Sequence, residues 1–200
     1  MRSLFILAIA LIFSLSSQSQ TIATGEIEPY DYDTTLKGGY TISFKVDDSL
    51  EYLYLKKGNK TIIELSSMSR GLPYRNLGYV GADFMNYFVL VHSFGGGNPN
   101  YIELIKKTTG QNKIESGAAW IDVDVKKGFL LYCDNDVPGP KDKMTLLNIT
   151  TMKKQEFNFP PGIFDGPQVL GRIQISKLTN TQLVIKYDTE KRTKTKSYNR

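Results

Sequence analysis

Apolar and polar positions alternate along most of the chain at period two, in short runs broken by Gly, Pro, Asn and Asp. Tyr40-Thr-Ile-Ser-Phe-Lys-Val46 places Tyr40, Ile42, Phe44 and Val46 on one face, the pattern of a half-buried strand. Glu51-Tyr-Leu-Tyr-Leu55 and Thr61-Ile-Ile-Glu-Leu65 predict two more strands. Gly58 and Asn59 join them, residues that tolerate the positive φ of a tight hairpin turn. Residues 66–81, rich in Gly, Pro, Ser, Arg and Asn, predict a long connection. A strand-turn-strand unit follows at 87–112, then a short strand at 113–115. Trp120-Ile-Asp-Val-Asp-Val125 alternates with Ile121, Val123 and Val125 on the expected core side and Trp120, Asp122 and Asp124 on the other. A second strand-turn-strand unit is predicted at 129–154, and strands at 155–159, 173–178, 182–187 and 192–198. A loop at 160–171 carries Pro and Gly, which disfavour helix and strand alike. No amphipathic helix is predicted after residue 20.

Residues 87–112 recur without a gap at 129–154, an offset of 42. Phe-Leu-Leu-Tyr-Cys falls on Tyr-Phe-Val-Leu-Val, with identities at Gly97/Gly139, Leu104/Leu146, Thr108/Thr150 and Thr109/Thr151. Tyr87 to Val91 and Phe129 to Cys133 are apolar on both faces, as strands covered on both sides are. With units of strand, strand, hairpin loop and strand starting near Trp120 and Ile173, the chain resembles the four-stranded blades of β-propeller repeat proteins. The resemblance implies an antiparallel all-β meander of about a dozen strands in stacked blades. A β-barrel or β-sandwich is the alternative arrangement of the same strands.

The N-terminus changes the picture of location. Met-Arg-Ser, an apolar stretch from Leu4 to Leu15 and the small polar run Ser16-Ser-Gln-Ser-Gln20 follow the order of a secretory signal peptide. The expectation is cleavage between Ser19 and Gln20, with residues 20–200 as a single secreted or periplasmic all-β domain. The apolar run is shorter than the roughly 20 residues that span a bilayer, so no transmembrane segment is expected in the mature chain. Cys133 is the only cysteine, which excludes an intrachain disulfide. The formal charge of +5 falls to +4 on loss of Arg2, and such mild basicity in an exported chain does not point to nucleic acid.

Candidate chemistry is sparse. His92 is the sole histidine, and without a nucleophile and an orienting partner it reads as structural. Residues 134–145 begin like a calcium loop, with Asp134 and Asp136 at the first and third positions. Pro138 then stands at the fifth, where an oxygen side chain is expected, and Thr145 at the twelfth, where a bidentate Glu closes the site, so an Asx-capped turn and no cofactor are expected, with calcium as the alternative. Asp122 and Asp124 have same-face spacing, which any alternating strand produces. The offset of 42 places the loops after the two repeated strands at one end of neighbouring units. Their shared rim, with Phe94, Asn98, Asn100 and Tyr101 on one side and Asp134, Asn135 and Asp136 on the other, is the predicted binding surface. No residue is assigned as catalytic. The sequence thus predicts an exported binding protein for an extracellular protein or glycan. A hydrolase using Asp122, Asp124, Asp134 or Asp136, and a structural role in surface assembly, are the alternatives.

Overall fold

A computed structural model describes residues 34–165 and 167–200. The predicted signal peptide lies outside the described residues. β1 (Thr34–Leu36), β2 (Tyr40–Val46), β3 (Leu50–Lys57) and β4 (Lys60–Ser69) form the first sheet. A one-turn helix, α1 (Tyr74–Leu77), leads to β5 (Tyr79–Asp83), β6 (Tyr87–His92), β7 (Tyr101–Lys106), β8 (Ala119–Asp124), β9 (Phe129–Cys133), β10 (Lys143–Asn148) and β11 (Lys154–Asn158), which form the second. β12 (Ile173–Leu178), β13 (Gln182–Asp188) and β14 (Thr193–Asn199) form the third. All pairings are antiparallel, and strand order follows chain order in each sheet. The fold is therefore an all-β meander, and the described strands form no closed barrel.

The second sheet is almost two. β7 and β8 share one ladder pair, Tyr101 with Ala119, supported by Ile102 N–H donating to the Ala118 carbonyl and Trp120 N–H to the Asn100 carbonyl. Units β5–β7 and β8–β11 are thus hinged at a narrow seam. Three apolar cores lie between neighbours. Phe88, Leu90 and Ile105 join Ile42, Leu53 and Leu55 of the first sheet. Val89, Val91 and Leu104 join Leu130, Tyr132 and Leu147. Leu131, Cys133 and Leu146 join Ile173, Leu183 and Ile185 of the third sheet. β6 and β9 therefore bury successive side chains in different cores, which is why their sequences are apolar on both faces.

Backbone pairing carries the offset of 42 in detail. Tyr87 pairs with Lys106 and Val91 with Ile102, while Phe129 pairs with Asn148 and Cys133 with Met144, the same register 42 residues on. The turns that follow also match, with Gly110 N–H donating to Lys106 O and Met152 N–H to Asn148 O. Gly110 (φ +70°) and Met152 (φ +58°) both take the left-handed conformation. β5, β8 and β12 each carry a bulge, within Val80/Ala82, Trp120/Asp122 and Ile175/Lys177.

Three local expectations are corrected. Residues 66–81 are not one connection: β4 continues to Ser69, and α1 and β5 occupy the rest. Residues 113–115 form no strand, since only an isolated bridge links Ile105 to Asn112. The bulge in β8 splits the expected core side between two cores, because one extra residue shifts the period-two alternation. Ile121 lies in the core against the third sheet, whereas Val123 and Trp120 pack against the core shared with β5–β7.

Candidate functional site

His92–Tyr101, Tyr101–Ala119, Ala119–Cys133 and Cys133–Met144 are successive pairs, so they form one row across the second sheet. Loops 93–100 and 134–142 leave from that row at the same end. Met144 pairs with Phe157, so β11 ends there too and delivers loop 159–172 beside them.

Each loop is held by its own sequence. In the first, Gly95, Gly96 and Gly97 all have positive φ (+67°, +64° and +82°), a run that residues with a Cβ would take up only with strain. Asn98 N–H closes the turn on Gly95 O at 3.1 Å. In the second, Asn135 Oδ1 accepts from Val137 N–H, and Asp142 Oδ2 accepts from Gly139 N–H and Asn135 Nδ2, an internal brace. In the third, Phe159 and Phe164 meet edge to face at 5.3 Å, Ile163 and Leu170 are buried, and the Arg172 guanidinium donates to Ile163 O.

Two contacts join the loops. Tyr101 Oη donates to Asp136 Oδ2 at 2.7 Å, and this carboxylate, followed by partial burial, raises the phenol's pKa above its ordinary value. A Cβ built on Gly97 would lie 3.5 Å from Gln168 Nε2, so the first and third loops approach at that point. Between the three lies a cavity of about 450 Å³, lined by Asn98, Asn100, Trp120, Asp136, Val137 and Gln168 among others. An adjoining depression of about 470 Å³ is lined by His92, Phe94, Tyr101 and Glu103. Phe94 and Val137 stand out into solvent at 52% and 75% exposure.

Of the predicted rim, Asn98, Asn100 and Asp136 line the main cavity. Phe94 and Tyr101 stack edge to face at 5.7 Å over the neighbouring depression. Asp134 and Asn135 line neither: Asp134 accepts from Thr145 Oγ1, and Asn135 serves its own turn. Trp120, Gln168, Val169 and Leu170 were not anticipated. Trp120 reads in sequence as a strand residue, yet it is the second residue of β8 and so sits at the rim.

The other candidates are engaged separately. Neither hydrogen-bond partner of His92 is a hydroxyl or thiol: its Nδ1 is 3.0 Å from Asn76 O and its Nε2 3.2 Å from Glu103 Oε1, which ties α1 to β6 and β7. Burial lowers its pKa, but the Glu103 carboxylate and the Asn76 carbonyl outweigh this and raise it overall. Cys133 is buried in the core and burial pushes its thiol up. Asp122 accepts from Ile175 N–H of β12 at 2.6 Å, and Asp124 accepts from Lys127 N–H at 3.0 Å. No cluster of three or more His, Cys, Asp or Glu side chains suited to a metal occurs among the described residues. No family model, curated protein or solved structure matches the chain.

Proposed function

We propose that the chain is an exported, non-catalytic recognition protein built from propeller-like blades, which binds an extracellular protein or glycan at the loop end of its central sheet. The carrying observation is the convergence of loops 93–100, 134–142 and 159–172 on one braced cavity, joined through Tyr101 and Asp136. Loops fixed by their own turns lose little freedom on binding, which favours recognition. The recurring register of β6–β7 and β9–β10, and the burial of both faces of each unit, support the blade reading. Against hydrolysis, Asp122, Asp124, Asp134 and Asp136 each serve a different backbone or hydroxyl partner. A glycosidase needs two carboxyl groups free to act across one bond, about 5–10 Å apart.

The test is an amide chemical-shift titration of residues 20–200 with neutral oligosaccharides, acidic oligosaccharides and capped peptides. Shifts confined to the three loops are expected for at least one class. Shifts centred on the lysine-bearing opposite end, around Lys37 and Lys126, or turnover of any oligosaccharide, would overturn the reading.

A further inference from the structure

We propose that the cavity's ligand is a neutral carbohydrate, with Trp120 as its apolar wall and the amides of Asn98, Asn100 and Gln168 as its hydrogen-bonding groups. The proposal rests on the recognition reading above and narrows it to one ligand class. Charge supplies the first argument. Asp136 is the single charged side chain lining the cavity, and its carboxylate already accepts from Tyr101. No lysine, arginine or histidine lines it, so a phosphate, a uronate or a peptide C-terminus meets no countercharge.

Hydrogen-bonding capacity supplies the second. The side-chain amides of Asn98, Asn100 and Gln168, and the indole N–H of Trp120, have no hydrogen-bond partner among the described residues. An amide offers two N–H donors and a carbonyl acceptor side by side. A sugar hydroxyl likewise donates and accepts, so three free amides around one cavity match vicinal hydroxyls. Gln168 holds φ at +55°, one of two non-glycine residues with positive φ among those described, and the other is the turn residue Met152.

Apolar surface supplies the third. Trp120, Val137, Pro99 and Pro138 give flat or rigid faces suited to the C–H face of a pyranose. The volume of about 450 Å³ lies within the range of small-ligand sites, about 300–1,000 Å³, and suits a short glycan segment.

Trp120 is the only tryptophan of the chain, so its emission reports directly on this cavity. Residues 20–200 are titrated with cellotetraose, xylotetraose, mannotetraose and maltotetraose, and in parallel with trigalacturonate and a pool of capped neutral hexapeptides. A saturable emission change with a neutral tetrasaccharide is expected, weakened at least about tenfold in both Asn100→Ala and Gln168→Ala while their urea midpoints stay unchanged. Response to trigalacturonate or peptides alone overturns the neutral-carbohydrate assignment and leaves the recognition reading standing. Silence toward every probe, together with absent amide shifts in the three loops, overturns both.

Discussion

The units β5–β7 and β8–β11 share register, turn and bulge, yet they differ at three matched positions. Lys107 is fully buried where the second unit has buried Ile149. Lys107 Nζ donates to Phe84 O and Lys37 O and pairs with Asp83 at 2.6 Å, stitching the first sheet to the second. Gly110 stands where the second unit has Met152, because Ile63 of β4 approaches so closely that a Cβ there would lie 2.3 Å away. Met152 meets no such neighbour and packs against the core between the units. Residues 112–116 form only a bridge where the second unit has the strand β11. The first two differences face the first sheet. Backbone register is thus set within a unit, and side-chain identity by what lies across from it.

Swapping the matched residues breaks the comparison most sharply at Lys107. Lys107→Met takes the ammonium from the partly exposed Asp83 carboxylate, which keeps only the Lys37 N–H, and unpairs the Phe84 and Lys37 carbonyls, so it is expected to cost about 2–4 kcal/mol in urea unfolding. Ile149→Met conserves volume and is expected to cost less than about 1.5 kcal/mol, so equal losses would refute the asymmetry. Gly110→Met should cost about 1–3 kcal/mol through the clash with Ile63, even though methionine is the native residue at the matched turn. Relief of that loss by Ile63→Ala would locate its cause.

Smaller effects sharpen the same contrast. Tyr101→Phe removes the hydrogen bond to Asp136, and hydrogen exchange in loop 134–142 is expected to quicken. Unchanged exchange would separate the two loops. His92 has a raised pKa in the folded state, so its stabilisation is full below the ordinary value of 6.5 and is lost as pH rises through the folded value. Stability should therefore decline as pH rises from about 6.5, and His92→Gln should flatten the decline. A slope of opposite sign in the wild type would contradict the Glu103 contact.

The strands were legible because sheets that bury one or both faces write that burial into period-two or unbroken apolar runs. β5 was hidden: Gly81 interrupts Tyr79-Val80 and Ala82, and the strand follows a loop rich in Gly and Pro. The faces of β8 were misread because a bulge leaves no sign in alternation. At the rim, Asn98, Asn100 and Asp136 were found through the offset of 42, which fixes where two loops emerge. Gln168 was not, because it belongs to a loop outside the repeated hairpins and its left-handed backbone has no glycine to announce it.

Strand order that follows chain order has a consequence for how the molecule forms. Every ladder joins strands adjacent in sequence, so pairing closes only short loops, the longest within a sheet being residues 107–118 between β7 and β8. Loop-closure entropy rises with length, and local pairings speed folding relative to other all-β chains. A chain delivered N-terminus first therefore completes each meander as it emerges, and each finished face offers the next a template to collapse upon.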